Sequence, residues 1–336
     1  MRASKLCFLL LSVLAVAVLG AELVCEGDQC EPPPHVPATF TLNDGNTMPR
    51  VGYGTAGLGE SVTMNVLTAL KAGFRHIDSA QAYEWYNERG VGAALLKASE
   101  EGEVIFIRTP RKCIPRDSIF VTSKLHPRDF GARTRKQFHE SLHDLQTDYV
   151  DLFLLHYAEC WSGLHCPGEP GTWQEAWAAL GALQAEGKIR SLGVSNFNPD
   201  DLRALIAAAQ RGDAPMPAVV QNWFDPLHRD AEIRAICAAH NITYVSYSTL
   251  GTQHPGRGGN PVLTNPVIKA IAARQGTSPA RVVLSWALQS GVGVLPRAGR
   301  AAHVEDNAQL LTGGGGDALA VFLSAADMAA IDALAT

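Results

Sequence analysis

The sequence predicts a parallel (β/α)8 TIM barrel, and three observations support that prediction. From Arg50 onward, strand-like and helix-like segments alternate over roughly 250 residues, which is typical of this barrel. Three of the strand-like runs end in a charged or polar side chain, at Asp78, Lys124 and His156. Parallel barrels gather such side chains at one mouth, because all their strands point the same way. A β-hairpin signal at Thr39–Met48 precedes the first strand, and we expect this hairpin to plug one end of the barrel.

The amino-terminal segments are expected to lie outside the barrel. Two basic residues precede an uncharged apolar run, Leu6–Leu19, and small residues follow it, which is the pattern of a secretory signal peptide. The run is shorter than the roughly 20 residues of a membrane-spanning helix, so an uncleaved anchor is the weaker alternative. The next segment is acidic and rich in proline, as in a surface linker. We therefore expect a signal peptide at 1–20, a linker at 21–37, a barrel at 38–336, and location in the secretory pathway, either the endoplasmic reticulum lumen or outside the cell.

Cysteine usage agrees with an oxidising compartment. After removal of the signal peptide six cysteines remain, and Cys25–Cys30 and Cys160–Cys166 are the obvious local pairs among the 15 pairings that six allow. We expect Cys113 and Cys237 to be buried as small apolar residues. The tripeptide Asn241-Ile-Thr243 is an N-glycosylation sequon that becomes usable on the same route.

Within the barrel, each strand-like run is followed by a helical pattern. Ser278-Pro279 and Asn198-Pro199 each place a capping side chain before a proline at the first helical position. The predicted strands are Arg50–Gly54, Arg75–Asp78, Ile119–Lys124, Tyr149–His156, Ile189–Ser195, Ala218–Asn222, Thr243–Ser246 and Gly293–Pro296. Helical patterns include Val62–Ala72, Thr172–Glu186, Ser278–Gln289 and a last helix near Leu323–Leu334.

Two other segments interrupt or challenge this pattern. Residues 98–117 form a long charged connection that we expect at the surface, away from the site. The alternative fold is a doubly wound sheet, which would carry a Gly-x-Gly-x-x-Gly pattern after its first strand. Here Gly52-Tyr-Gly54 leads into a loop of different spacing, and the barrel is therefore favoured.

Polar side chains lie at or just past the downstream ends of most predicted strands. Barrels of this class keep their active sites on that face, so we expect these side chains to meet there. They are Asp78, Lys124, His156, Ser195, Asn196, Gln221, Asn222, Tyr247 and Arg297.

This set of residue types fits proton transfer to a carbonyl oxygen. We expect Tyr83 to act as general acid, with the Lys124 ammonium lowering the pKa of its phenol and Asp78 holding Lys124 in place. A neutral His156 would donate a hydrogen bond that orients the carbonyl. Tyr86 lies close enough in sequence to compete with Tyr83 for the role of acid.

Composition excludes several classes of partner. The chain has 336 residues, 46% hydrophobic and 18% charged, with a net charge of -5 and no long basic run, which argues against nucleic acid and anionic membranes. No cysteine or histidine cluster has zinc spacing, so no metal is expected. We expect a monomer that binds a small carbonyl compound.

From about Ala38 to its end, the chain resembles the aldo-keto reductase family. The resemblance is carried by the stretches MPRVGYGT, GFRHIDSAQAY, FVTSKL, DLFLLH, GKIRSLGVSNF, VVQNWFDPL, SYSTLG and LPRAG with EDN. It implies NAD(P)H-dependent reduction of aldehydes or ketones, with Asp78, Tyr83, Lys124 and His156 as the catalytic set. The alternative is a cofactor-binding regulatory or inactive barrel with little turnover.

The resemblance also implies a cofactor site without a Rossmann domain. The nicotinamide carboxamide would contact Ser195, Asn196 and Gln221, with Tyr247 stacked on the ring. The family usually binds NADPH, and it typically has Lys-Ser and then Arg on the 2′-phosphate, where this chain has Arg297-Ala298 and His303. Because Arg297 can still bind a phosphate, we expect NADPH, with NADH as the alternative cofactor. The implied cofactor residues are Gly54, Thr55, Ser195, Asn196, Gln221, Tyr247, Ser248, Leu250, Arg297, Ala298, His303, Asp306 and Asn307.

Two aromatic residues are expected at the substrate wall, Tyr53 and Trp161. The glycine-rich loop Gly251–Asn260 would fold over the cofactor pyrophosphate as a lid, and the alternative is that it is only a flexible connection. A hydrolase or isomerase on the same barrel needs paired carboxylates or metal ligands at the mouth, and the sequence offers neither.

Overall fold

The computed structural model describes residues 35–100, 113–164, 166, 168, 170–254, 259–313 and 317–335, and the backbone of 24–26 and 29–31. The predicted signal peptide at 1–20 lies outside these residues. Within the described ranges, no helix is both long and apolar enough to cross a membrane.

Eight parallel strands, hydrogen-bonded in chain order, form the central sheet and confirm the predicted fold class. A bridge between Val51 and Val294 joins its two ends, where the Gly52 amide donates to the Val294 carbonyl over 2.8 Å. The last strand therefore lies beside the first. The strands are β5 (Tyr53–Gly54), β6 (His76–Asp78), β7 (Phe120–Leu125), β8 (Val150–Leu155), β9 (Ile189–Ser195), β10 (Val219–Trp223), β11 (Thr243–Tyr247) and β12 (Gly293–Val294).

Helices follow the strands and cover the outside of the sheet. Asn198 and Ser278 accept backbone N–H bonds as N-caps ahead of a proline, as predicted, and Thr172 forms a capping box with Glu175. The helices are α1 (Val62–Lys71), α2 (Glu88–Glu100), α3 (Thr134–Leu145), α4 (Trp173–Ala185), α5 (Pro199–Gln210), α6 (Ala231–Ala239), α7 (Pro266–Arg274), α8 (Pro279–Gln289), α9 (Ala301–Ala308) and α10 (Ala325–Asp332).

The predicted hairpin is present as β3 (Thr39–Thr41) and β4 (Thr47–Pro49), paired antiparallel. Its Leu42 and Met48 are buried in one cluster with side chains of the central strands, including Leu152 and Leu154. Its role as a plug stays a prediction. Inside the predicted linker, β1 (Val24–Glu26) and β2 (Gln29–Glu31) form an antiparallel ribbon that the sequence pattern did not indicate.

Apolar side chains fill the space on both faces of the central strands. Trp177, Phe138 and Trp286 are buried between strands and helices, and Leu154 and Val219 belong to the cluster that includes the hairpin. Polar side chains lie at the downstream ends of several strands, and others, such as His76 and Asp151, are buried nearer the upstream ends. The downstream set positions the site.

The cysteines divide into bonded and free residues. Cys160 and Cys166 form a disulfide, as predicted. Cys237 is free and buried as expected, whereas Cys113 is free and exposed, which corrects the prediction that it is a core residue. The predicted Cys25–Cys30 pair concerns side chains outside the described part of the chain.

Candidate active site

A buried ion pair lies at the downstream ends of β6 and β7. The Lys124 ammonium donates to Asp78 Oδ1 over 2.6 Å and to the Ser79 carbonyl over 2.9 Å. Gln221 Nε2 donates to Asp78 Oδ2 over 2.8 Å. Because burial disfavours the ammonium more than Asp78 favours it, the pKa of Lys124 is lowered.

The structure brings Tyr86, and not Tyr83, to this pair. The centre of the Tyr86 ring lies 5.1 Å from Lys124 Nζ and 6.0 Å from the centre of the His156 ring. Tyr83 is 58% exposed, and its ring faces the guanidinium of Arg128 at 5.1 Å. The sequence expectation of Tyr83 beside Lys124 and His156 is therefore corrected. The residues of Glu84-Trp85-Tyr86 lengthen the turn, and the third of them occupies the place expected for Tyr83.

The phenol of Tyr86 is not acidified. Its pKa is raised well above the usual value, first because burial disfavours the phenolate and then because the Asp78 charge does so too. The pKa of Tyr83 is also raised, again chiefly by burial. Burial and the Asp78 charge prevail at this position, so the net lowering of the pKa that was expected from Lys124 is wrong. A phenol in this state keeps its proton at neutral pH.

His156 follows β8 and is buried beside the ion pair. Its pKa is lowered well below the usual value, first by burial and then by the charges of Lys124 and His126. The imidazole stacks on the Tyr157 ring with centroids 4.9 Å apart. Its Nδ1 is buried and makes no hydrogen bond to any described residue. His156 is thus a neutral group at neutral pH, as the sequence predicted.

Residues at the downstream ends of β9, β10 and β11 form a hydrogen-bonded group next to His156. Ser195 Oγ donates to the Gln221 carbonyl over 2.6 Å, and Asn196 Nδ2 donates to the His156 carbonyl over 2.8 Å. Tyr247 donates from its hydroxyl to Asn196 Oδ1 over 2.6 Å. Asn196 has a left-handed φ of 55°, which aims its amide back toward the sheet. These predicted neighbours do lie together.

Asp78, Tyr86, His156 and the hydrogen-bonded group face one cavity of about 510 Å³ at the mouth of the barrel, and Lys124 is buried outside its lining. Gly54, Ser248, Leu250 and Arg297, predicted as cofactor residues, line it as well, as does the predicted substrate residue Trp161. The main functional lining is Asp78, Trp85, Tyr86, His156, Tyr157, Trp161, Ser195, Asn196, Gln221, Tyr247, Ser248, Gln253 and Arg297.

Several predicted site residues do not line this cavity. Tyr53 is 1% exposed, packs edge-on against Phe74, and donates its hydroxyl proton to the Ala298 carbonyl. It belongs to the core, so its expected substrate contact is corrected. Thr55, Ala298 and Asn307 are buried, His303 is exposed, and Asp306 accepts a hydrogen bond from Ser278 over 2.5 Å.

A second hollow, open to solvent, has a volume of about 710 Å³ and lies on the other side of the 83–89 segment. Tyr83, Glu60 and Asp144 border it, and Trp85 and Tyr86 border both hollows. Asp78, Lys124 and His156 do not reach it. The larger hollow is therefore separated from the buried polar cluster.

Some residues of the site were not predicted from the sequence. Trp85 and Tyr157 add aromatic surface to the cavity wall. Glu88 is buried and borders the larger hollow, and it accepts from Ser123 Oγ over 2.5 Å and from Ser141 Oγ over 2.8 Å. Burial raises the pKa of Glu88 to about 7. The sequence signal for Glu88 was an acidic residue at a helix start, which ordinarily indicates only a capping interaction.

The predicted lid loop is tied to the barrel at its beginning. His254 Nε2 lies 2.8 Å from Asp225 Oδ2, and Asp225 also accepts from the Trp223 indole over 2.7 Å. Residues 255–258 of this loop lie outside the described part of the chain.

Among the described residues, no group of three or more histidine, cysteine or acidic side chains is arranged to hold a metal ion.

Comparison with known proteins gives one consistent result. The model of the Aldo/keto reductase family matches residues 50–335. An aldo-keto reductase of Mycolicibacterium vanbaalenii is 36% identical over 298 residues, which cover 88% of this chain and 91% of that protein. The NAD(P)H-dependent D-xylose reductase of Scheffersomyces stipitis is 33% identical, covering 80% of this chain and 87% of that one.

Solved structures agree. An aldo/keto reductase from Brucella melitensis superposes with a TM-score of 0.72 at 33% identity, covering 89% of this chain and 99% of that one. A Bombyx mori aldo-keto reductase in complex with NADP gives a TM-score of 0.75 at 25% identity, covering 90% and 94%. Sequence and structure comparisons thus match nearly the whole barrel.

Proposed function

The chain belongs to the aldo/keto reductase family, and from this premise we infer that it reduces aldehydes and ketones to alcohols by hydride transfer from NAD(P)H, with Tyr86 as general acid. One observation carries the assignment of the acid. Tyr86 lines the same cavity as His156 and lies over the buried Lys124–Asp78 pair, whereas Tyr83 faces solvent.

A reduced nicotinamide cofactor, when bound, would supply the hydride. As hydride reaches the carbonyl carbon, negative charge grows on the oxygen, and the Tyr86 hydroxyl donates its proton there. The phenolate that remains is stabilised by the Lys124 ammonium, 5.1 Å from the ring centre. Asp78 and the Ser79 carbonyl hold that ammonium in place.

The two titratable groups around the carbonyl are held in the forms that this step needs. The raised pKa of Tyr86 keeps the phenol protonated, and the lowered pKa of His156 keeps the imidazole neutral. Because His156 Nδ1 is buried without a partner, we place the imidazole N–H on Nε2, where it can donate to the carbonyl oxygen. This hydrogen bond orients the substrate before proton transfer.

The cavity residues fit a nicotinamide cofactor. A carboxamide needs both donors and acceptors, and Ser195, Asn196 and Gln221 offer hydroxyl and amide groups on one side of the cavity. Tyr247 offers an aromatic face from the end of β11. Arg297 carries the one cationic side chain among the described residues of the lining, and it is exposed, as a phosphate contact requires.

We propose NADPH as the preferred cofactor and NADH as a weaker one. Arg297 and the exposed Arg300 lie at and after the end of the last strand, and both are suited to a 2′-phosphate. The NADP complex of the Bombyx mori relative supports this choice. Steady-state kinetics with both cofactors test it, and Arg297→Ala should raise the KM for NADPH more than the KM for NADH.

Turnover itself is tested by the loss of reduced-cofactor absorbance with a panel of aldehydes, aldoses and ketones. We expect substrate-dependent loss with at least one cofactor. Quenching of cofactor fluorescence without turnover, across the panel and across pH, would instead indicate a regulatory cofactor-binding protein.

We propose that the mature chain occupies the secretory pathway as a monomer. The Cys160–Cys166 disulfide supports an oxidising compartment, and the sequon residue Asn241 is exposed in the turn before β11. That turn is at the opposite end of the strand from Tyr247, so a glycan there leaves the cavity open. Glycosidase treatment of the secreted protein should change its mobility, and Asn241→Gln should abolish the change.

The monomer is supported by the scattered distribution of large exposed apolar side chains. Of the described ones, Trp85 and Trp161 belong to the cavity, and Met64, Leu96 and Tyr83 lie elsewhere. Light scattering coupled to size-exclusion chromatography tests the mass in solution, and a dimer mass would contradict the proposal.

A further inference from the structure

The loop between β8 and α4 carries one wall of the cavity. It begins at His156 and includes Tyr157 and Trp161, both of which line the cavity. The Trp161 indole meets the Tyr157 ring edge-on with centroids 6.3 Å apart, and Tyr157 in turn stacks on His156. An aromatic series thus runs from the imidazole at the reacting carbonyl to the rim.

Few non-covalent contacts hold the outer end of this series. Trp161 is 50% exposed. The Leu164 amide donates to the Trp161 carbonyl over 2.9 Å, and Leu164 is buried. The indole also lies against Gly163, where an added methyl group would overlap the ring. The strongest constraint is covalent, because the Cys160–Cys166 bond closes the short span that contains all three residues.

We propose that the Cys160–Cys166 disulfide holds Trp161 as a wall for aldehydes with an aromatic or extended apolar group, so that selectivity for these substrates depends on the redox state of this bond. The proposal rests on the proposed function for the identity of the reacting group. Short aldehydes do not reach the rim, and they are bound by Tyr86 and His156 alone.

The charge and shape of the rim indicate this substrate class. Trp85, Tyr157 and Trp161 are aromatic residues of loops in this lining, and the charged side chains of the described lining, Asp78 and Arg297, belong to other segments of the barrel. Aromatic walls bind flat apolar groups through buried area and offset ring contacts. A substrate with a charged tail gains nothing from this wall.

Reagents can reach the bond. Cys160 and Cys166 are both partly exposed, unlike the buried Cys237. A dithiol such as dithiothreitol transfers two electrons and two protons, giving two cysteine thiols while it closes to its own cyclic disulfide. The opened loop has more conformations, and ordering Trp161 against a bound ring then opposes binding.

The test compares the full chain before and after reduction, together with Cys160→Ser/Cys166→Ser. Reduction is verified by alkylation and mass spectrometry. We expect the KM for an aromatic aldehyde such as 4-nitrobenzaldehyde to rise about threefold to tenfold, from the cost of immobilising one large side chain. The KM for propanal and the Kd for the cofactor should stay unchanged. Dithiothreitol should have no further effect on the double variant.

Two further variants separate the causes. Cys113→Ser removes an exposed free thiol far from this loop and should respond to dithiothreitol as the parent chain does. Gly163→Ala keeps the disulfide but displaces the indole, and it should reproduce the selective rise in KM. An unchanged aromatic-aldehyde KM after verified reduction overturns the proposal, as does an equal response of propanal.

A binding measurement keeps this test independent of turnover. Calorimetric titration of the chain loaded with the oxidised cofactor, which cannot deliver hydride, with 4-nitrobenzaldehyde gives a Kd that should weaken by the same factor on reduction of the disulfide. If the chain binds the aldehyde in this redox-dependent way without reducing it, the proposed reductase function is contradicted and the role of the disulfide in substrate binding is supported. If it reduces both aldehydes and neither Kd nor KM depends on the redox state, the role of the disulfide is contradicted and the reductase function is supported.

Discussion

The two sides of the cavity are built differently. Asp78, Lys124, Ser195 and Tyr247 are carried by strands, and the first three are 3% exposed or less. The aromatic side is carried by loops, where Trp85 is 38% and Trp161 is 50% exposed. Each of these strand residues is paired with at least one neighbouring strand, and Asp78 with two, whereas the loops depend on a few side-chain contacts and one disulfide.

This difference separates the chemical step from substrate selection. The strand side holds charge and hydrogen bonds in fixed positions, as proton transfer requires. The loop side can change in length and composition without moving the strands. Tyr86 is the exception, because it sits on a loop and acts on the strand side. The predictions below test this division, beginning with that exception.

The largest effect is expected for the two tyrosines. Tyr86→Phe removes the proton donor and should lower kcat about 10²- to 10⁴-fold. Tyr83→Phe removes an exposed hydroxyl and should leave kcat within about twofold. Steady-state reduction of one aldehyde measures both, with cofactor fluorescence titration as a control for binding. If kcat fell further in Tyr83→Phe than in Tyr86→Phe, Tyr83 and not Tyr86 would be the general acid.

Breaking the buried ion pair should affect both stability and rate. Lys124→Met leaves Asp78 buried without its cation, and we expect a loss of about 3–5 kcal/mol in the free energy of unfolding. The reduction rate should fall as well, since nothing then stabilises the Tyr86 phenolate. Urea unfolding and steady-state kinetics are the measurements.

Two variants control this experiment. Lys124→Met/Asp78→Asn should recover part of the stability but none of the rate, because it removes the unpaired charge without restoring an ammonium. Lys136→Ala breaks a surface pair with Glu140 and should cost under about 1 kcal/mol. If Lys124→Met and Lys136→Ala lowered the free energy of unfolding equally, the buried ion pair would hold the strand side no more firmly than a surface pair does.

The same division explains what the sequence could predict. The strand positions of Asp78, Lys124 and Gln221 followed from apolar runs that end in polar residues, and they lie where expected. The choice between Tyr83 and Tyr86 did not follow, because the path of a turn depends on its tertiary contacts and not on residue spacing. The pKa direction of the acid was wrong for a related reason. Burial and the matching of Lys124 by Asp78 are properties of the folded molecule.

Tyr53 shows the opposite error. It was placed at the substrate wall through the resemblance, yet its side chain points into the core and its hydroxyl is bonded to Ala298. Adjacent residues of a strand face opposite sides, so one position decides between core and cavity. Gly54, the next residue, does line the cavity.

Glu88 connects the segment that carries Tyr86 to the strand that carries Lys124, and its raised pKa makes the stability of the fold depend on pH. It begins α2, two residues after Tyr86, and accepts from Ser123, the neighbour of Lys124 on β7. Its folded pKa of about 7 lies above the ordinary 4.5, so the folded chain binds the proton more tightly than the unfolded chain. Stability should therefore fall by roughly 3 kcal/mol as pH rises from about 4.5 to about 7.

Glu88→Gln cannot titrate and should lack that decline. Chemical unfolding of the parent chain and the variant at several pH values measures the difference between their slopes. Glu60→Gln, an exposed carboxylate change, is the matched control and should keep the decline of the parent chain. If the parent and Glu88→Gln curves run parallel from pH 4.5 to 7, Glu88 is not the titrating group.

The smallest effects should fall on different constants for the two sides. Tyr247→Phe removes the hydrogen bond to Asn196 Oδ1, and we expect the cofactor Kd to rise about fivefold, equivalent to about 1 kcal/mol, with aldehyde selectivity unchanged. Trp85→Leu reduces the aromatic wall, and the KM for aromatic aldehydes should rise about threefold while the cofactor Kd stays the same. Fluorescence titration gives the Kd and steady-state kinetics the KM. Each variant controls the other, because both replace one aromatic side chain of the same cavity. If both variants changed both constants equally, the strand side and the loop side would act as one surface, and the division between chemistry and selection would not hold.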